Sequence, residues 1–207
     1  MTDQRPKAPT LPFNTIMSSD DMVGAIEGVE QALDFAIPKW NENPSTENTA
    51  TRFMKYLAEF TQPIDMDKIF GSTFEDPADH PPMIIQHPIP FRMVCEHHLL
   101  PAVGVAALGY VPHKRVLGLS KLTRLVDAVG VEQPSLQEHR ANRIMDLMNQ
   151  HLEPKGVMLV IKSQHGCMAC RGVNVRGVDT TTSHVSGVFR DNPTARAEFL
   201  ALIQGNM

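Results

Sequence analysis

Cysteine is scarce: three residues in 207, at Cys95, Cys167 and Cys170. So small and odd a number excludes a disulfide framework and fits a reducing compartment, so a cytoplasmic location is expected. No apolar run approaches the roughly 20 residues that span a bilayer, which argues against a membrane protein. The opening residues carry Pro6, Pro9 and Pro12 and no apolar signal core, and residues 1–15 read as a flexible tail. A basic excess is missing as well. The formal net charge of −4 argues against general nucleic-acid binding, which needs a basic face, but leaves room for a local phosphate pocket. Neither an internal repeat nor a low-complexity segment is present, which excludes solenoids and arrays.

What is present is ordinary globular material, 42% apolar and 20% charged, in a chain long enough to bury a core without staples. Ser18, Ser19, Asp20 and Asp21 supply cap candidates, and Met22, Ile26, Val29, Leu33 and Ile37 then recur at helical spacing until Pro38. A second short helix carries Phe53, Leu57 and Phe60 on one face, and residues 62–82 read as loop. Strand-like runs follow at 83–94 and 103–111. Ser120 opens a helical pattern with Leu122, Leu125, Val126 and Val129. Pro134 and Ser135 open another, with Ala141, Ile144, Met145, Met148 and Leu152 on one face. Residues 157–161 and 173–178 read as strands, and Pro193, at a favoured first helical position, begins a last helix through Phe199, Leu200 and Ile203. This order predicts an α+β fold with helices on one face of an antiparallel sheet. The expected division is the tail, a helical hairpin and loop over 16–82, and an α+β domain over 83–207.

Chemistry concentrates in two distant stretches. Cys95-Glu96-His97-His98 packs a thiol, a carboxylate and two imidazoles into four residues, and C-x-x-H spacing lets both ends turn toward one metal. His165-Gly166-Cys167-Met168-Ala169-Cys170 adds an imidazole and a C-x-x-C pair. Thiolates select zinc over magnesium or calcium. One reading is a structural zinc closed by Cys95, His98, Cys167 and Cys170. The other is a catalytic zinc with three protein ligands and spare histidines, His97 and His165, to move protons. The wide separation of the pairs disfavours the first, since small fingers space theirs by roughly 12–20 residues. The base-deaminase pattern, H-x-E with P-C-x-x-C, is not met.

Ser120, Lys121 and Arg124 begin a helix, where backbone N–H groups and cations suit an anion, and Arg171 follows the second metal stretch. Ser135 and Glu138 have capping-box spacing, yet Glu138 could instead grip the N–H edge of a purine. Spacing alone leaves both open.

From about residue 83 to 203 the chain resembles the zinc-dependent GTP cyclohydrolase I family. The likeness rests on Cys95-Glu96-His97-His98-Leu99-Leu100-Pro101, Gly109-Tyr110-Val111-Pro112, Val116 through Leu122, Gln137-Glu138, His165-Gly166-Cys167 with Arg171-Gly172-Val173, Thr182-Ser183, and Gly187-Val188-Phe189-Arg190. It implies a tunnelling fold: an antiparallel four-stranded sheet with two helices on one face, preceded by a helical hairpin. It also implies a homodecamer with active sites between subunits. The reaction implied is attack of water on C8 of GTP, release of formate, and closure to 7,8-dihydroneopterin triphosphate.

Carried over by position, the resemblance makes Cys95, His98 and Cys167 the Zn2+ ligands and His97 and His165 the proton-transfer groups. It places Glu138, with Gln137, on guanine, and Leu119, Ser120, Lys121, Arg124 and Arg171 on the rest of the nucleotide. The sequence departs from the family at His139, where arginine is usual, and in the hairpin around 43–53. These departures motivate a competing expectation, a zinc- and GTP-binding scaffold on the same fold without catalysis.

Overall fold

A computed structural model describes residues 19–75 and 82–205. The expected tail and the cap at Ser18 lie outside them. The chain divides into two compact units, 1–63 and 64–207.

In the first unit, α1 (Ser19–Ala36) packs against α2 (Thr49–Glu59). Pro38 cannot continue α1. Asp34 then ties the turn, accepting from Trp40 Nε1 at 2.6 Å and Asn41 Nδ2 at 3.0 Å. Of the apolar face expected on α2, Phe60 at its C-cap is buried, while Phe53 is 39% exposed.

The second unit opens with structure in a stretch that reads as loop. α3 (Met66–Phe70) is capped by Asp65, whose carboxylate accepts from Lys68 N at 2.9 Å, and Ile69 is buried beneath it. β1 (Thr73–Glu75) pairs antiparallel with β4 (Arg115–Leu117). Elements of five and three residues are too short to leave a period in the sequence, so the expected loop over 62–82 is corrected here.

Four strands form the main sheet: β2 (Ile84–Val94), β3 (Pro101–Val111), β5 (Gly156–His165) and β6 (Thr180–Val185), in the order β2-β3-β5-β6, all antiparallel. Alternation along the strands sorts side chains to two faces. Ala106, Leu108, Leu159 and Ile161 share one core with Leu122, Leu125, Val126 and Val129 of α4 (Leu119–Gly130). Ala141, Ile144, Met148 and Leu152 of α5 (Gln137–Leu152) belong to the same core. Each buried valine, leucine, isoleucine or methionine among these contributes about 1.5–3 kcal/mol against exposure. The expected sheet with two helices on one face is therefore present.

The opposite face is not bare. Ala107, Met158 and Val160 pack with Phe189 of α7 (Val188–Asp191) and with Phe199 and Ile203 of α8 (Pro193–Ile203). Gly109 makes room for this helix: a Cβ there would fall 2.7 Å from the Phe199 ring. Pro193 starts α8 as expected, with Asn192 capping it through Thr194 N and Ala195 N. Leu200 is 43% exposed, off the buried stripe.

The fourth strand lies at 180–185, not at 173–178. Gly172 (φ 58°), Asn174 (φ 47°) and Gly177 (φ 73°) adopt left-handed backbone that breaks an extended run. Val173, Val175 and Val178 stay exposed there. Alternating valines suggest a strand, but three turn-forming residues among them decide otherwise.

Candidate metal centre and its surroundings

The metal stretches meet because of sheet register. β2 ends at Val94, and the chain turns tightly: Cys95 N donates to Leu100 O and Leu99 N to Cys95 O, each at 2.9 Å. Leu99 takes positive φ, 53°, within this turn. β3 then runs back beside β5 with Ala102 opposite His165. The end of β5 thus lies next to the turn, and α6 (Gly166–Ala169) carries Cys167 in its first residues. The sulfurs of Cys95 and Cys167 and a ring nitrogen of His98 all lie within 4.8 Å of one another. Cys95 is buried, Cys167 half-buried and His98 exposed, so the group is open on one side.

The donor set fits a thiophilic divalent cation. Burial, and next the facing Cys95, push the Cys167 thiol above its ordinary pKa, while Arg171 pulls the other way. Two thiols that oppose each other's ionisation are a natural place for a positive ion to offset that cost. Cys170 stands apart from the group. Its Sγ donates to Gly166 O at 2.8 Å and it is exposed.

Two histidines flank the group differently. His97 is exposed, 3.9 Å from the Glu96 carboxylate, its ring 6.2 Å from that of His98. His165 is half-buried. Desolvation lowers its pKa below the ordinary value, opposed by the charge of Glu138. Its Nε2 lies 2.8 Å from Gln137 Oε1 and 3.3 Å from Ser163 Oγ. Arg171 Nη1 contacts His98 Nε2.

Glu138 and Gln137 reach this end through the start of α5. The capping box is not formed: Leu136 is the N-cap and no side chain caps the helix. Ser135 is pinned by its backbone instead, donating to Val94 O at 2.9 Å and accepting from Glu96 N at 3.2 Å. Glu138 is left exposed in the first turn, while Gln137 is 2% exposed. The Gln137 amide, expected at the base, is engaged by the protein. Its Nε2 donates toward Ile161 O and Thr180 O at 3.2 Å and Thr182 Oγ1 at 3.1 Å, and Oε1 accepts from Ser163 Oγ at 2.6 Å.

Leu119, Ser120, Lys121 and Arg124 do not join this end within one chain. They occupy the first turns of α4, where Lys121 Nζ donates to Lys68 O at 2.6 Å and Thr123 Oγ1 to Gln86 Oε1 at 3.1 Å. The far end of α4 lies toward the metal group: a Cβ on Gly130 would fall 2.3 Å from Arg92 O. The helix rises about 15 Å from Ser120 to Gly130 and three strand residues from Arg92 to Cys95 add about 10 Å, so Ser120 sits roughly 20–25 Å from Cys95. That exceeds the reach from C8 of a purine nucleotide to its γ-phosphate.

Sequence reasoning gave no role to Ser163, which is 1% exposed and touches both Gln137 and His165. The signal was available. Ser163 is an inward polar residue two positions before His165 on the same strand face.

Comparison with known proteins agrees with the resemblance. The family model described as GTP cyclohydrolase I matches residues 27–204. A GTP cyclohydrolase 1 from Halalkalibacterium halodurans is 38% identical over 185 residues, covering 86% of this chain and 97% of that protein. One from Pelotomaculum thermopropionicum is 38% identical over 190 residues, covering 86% and 96%. One from Mycobacterium bovis is 43% identical over 141 residues, covering 67% and 68%. Among solved structures, an archaeosine synthase QueF-like protein in the apo form matches with TM-score 0.42 and 17% identity, over 53% of this chain and 96% of that one. Among the described residues, no helix is long and apolar enough to cross a membrane.

Proposed function

The chain belongs to the GTP cyclohydrolase I family, and we propose that it hydrolyses GTP at C8, releasing formate and forming 7,8-dihydroneopterin triphosphate. The observation that carries this reading is the open group of Cys95, His98 and Cys167 beside His165 and Glu138. The departures at His139 and around 43–53 lie outside the metal group, and among the described residues nothing in that group favours a non-catalytic scaffold.

In this reading Cys95, His98 and Cys167 hold Zn2+. Zinc supplies Lewis acidity there and brings the ionisation of water near neutral pH. The chain's own residues do the rest. Glu138, exposed at the start of α5, accepts from the N–H edge of guanine, and a site built on that edge rejects adenine strongly. His165 takes a proton from the attacking water and passes it to N7 as the five-membered ring opens. His97, unburied beside the group, moves protons between solvent and the later intermediates. Arg171, next to His98, leaves that contact to meet the nucleotide's anionic side. The catalytic role falls to residues 83–207, with the helical hairpin within 16–82 outside the chemistry, and the low cysteine content suits work in the cytoplasm.

Leu119, Ser120, Lys121 and Arg124 enter through a second copy. They are too far from Cys95 in their own chain, so the triphosphate is held by the start of α4 of a neighbour, in a homo-oligomer proposed to be a decamer. A helix N-terminus with Lys121 and Arg124 suits that anion.

Purified, zinc-loaded protein given GTP is expected to release formate and develop the ultraviolet band of a pterin. Turnover without formate would overturn the reading. The shared site has its own test. Cys167→Ser copies and Lys121→Ala/Arg124→Ala copies are each expected to be inactive. Co-expressed as one assembly, they should recover about a quarter of native activity, because random neighbours pair one intact half with the other. No recovery above the separate variants would place both halves in one chain.

A further inference from the structure

The orientation of the Gln137 amide follows from chemistry. Its nitrogen faces Ile161 O and Thr180 O, which can only accept, so a flipped amide would set oxygen against two carbonyl oxygens. The NH2 group therefore points at β5 and β6, and Oε1 points at Ser163 and His165. That oxygen accepts from Ser163 Oγ at 2.6 Å and lies 2.8 Å from His165 Nε2. A carbonyl oxygen cannot donate, so His165 Nε2 must carry the hydrogen. In the neutral ring Nδ1 is then the free lone pair. The amide has no donor or acceptor left for a purine, and the side chain is 2% exposed.

We propose that Gln137 is a positioning residue: it holds His165 in the Nε2–H tautomer, so that Nδ1 is the atom that exchanges a proton with the substrate. The proposal rests on the GTP-hydrolysing reading above and reassigns one of its residues. Ser163 supports the arrangement from the second side, filling the remaining lone pair of Oε1 and fixing its direction. Fixing a tautomer through the nitrogen that does not react is how buried partners orient catalytic imidazoles.

Gln137→Met keeps length and removes both ends of the network. For GTP it is expected to lower kcat by about 100-fold or more, the scale of a misplaced general acid–base group. KM, and the preference for GTP over inosine triphosphate, should each stay within about 3-fold, because the side chain does not touch the base. Ser163→Ala leaves the Oε1–Nε2 bond in place and should cost less than about 10-fold.

Nitrogen NMR of histidine-labelled native protein near pH 8, with His165→Ala for assignment, gives a readout free of turnover. It is expected to show hydrogen on Nε2 and none on Nδ1, and Gln137→Met to show both tautomers. An Nδ1–H ring in the native protein overturns the proposal, as does a variant that raises KM or loses the guanine preference with kcat held. If native protein released no formate, the activity reading would fall, while the NMR result would still decide the tautomer. If Gln137→Met did not assemble, the native spectrum alone would decide.

Discussion

Cys167→Ser is expected to lose its metal and all formate release together, while keeping its fold and assembly size. Two thiols and one imidazole within 4.8 Å are the whole donor group among the described residues, so removing one leaves two ligands. Disturbing a residue behind a metal ligand already costs 10–100-fold in affinity, so loss of a ligand itself should weaken binding by more than about 100-fold. The residue is half-buried in the short α6 and belongs to neither core, so serine should be tolerated structurally. The matched control is Cys170→Ser. Among the described residues its thiol bonds only to the Gly166 carbonyl, and both zinc content and turnover should stay within about 3-fold of native. Metal analysis and formate assays on the two variants check this. Loss of zinc in Cys170→Ser would restore the four-ligand structural site that the sequence left open.

His165→Ala is expected to lower kcat by about 10²–10⁴-fold with GTP affinity nearly unchanged. The ring is half-buried, feels the charge of Glu138, and meets Gln137 through Nε2, which leaves Nδ1 for the proton transfer proposed above. Its removal leaves Gln137 bonded to Ser163, Ile161, Thr180 and Thr182, so α5 and Glu138 should keep their places. Calorimetric GTP binding and single-turnover formate release separate the two effects. Turnover within about 3-fold of native would remove His165 from proton transfer, and loss of binding alongside kcat would make it a substrate anchor instead.

These expectations rest on residues whose legibility in the sequence was uneven. The buried stripes of α4 and α5 could be read because Leu122, Leu125, Val126 and Val129, and Ala141, Ile144, Met145, Met148 and Leu152, repeat at the helical period and are all buried. The metal group could be read because thiols and imidazoles clustered twice in a chain with three cysteines. That the two clusters meet needed register, Ala102 opposite His165, which no local pattern encodes.

Other features were hidden for identifiable reasons. α3 and β1 are too short to show a period, although Asp65 was a cap in plain view. Val173, Val175 and Val178 imitate a strand, and the left-handed backbone of Gly172, Asn174 and Gly177 overrides them. Ser135 and Glu138 have capping-box spacing, yet the backbone of Ser135 is claimed by Val94 and Glu96, which leaves Glu138 available for a ligand. The resemblance placed Gln137 at the substrate, and only its hydrogen-bond partners reveal an amide turned inward. The distance of Ser120, Lys121 and Arg124 from Cys95 depends on the direction in which α4 lies along β2, which composition does not carry.

The measurement closest to the central claim follows an isotopic carbon placed at C8 of GTP through one reaction with zinc-loaded protein. The account predicts that the label leaves quantitatively as formate while an unlabelled pterin triphosphate forms. Label retained in a ring-opened formamide, or in unchanged GTP despite bound zinc, would contradict it.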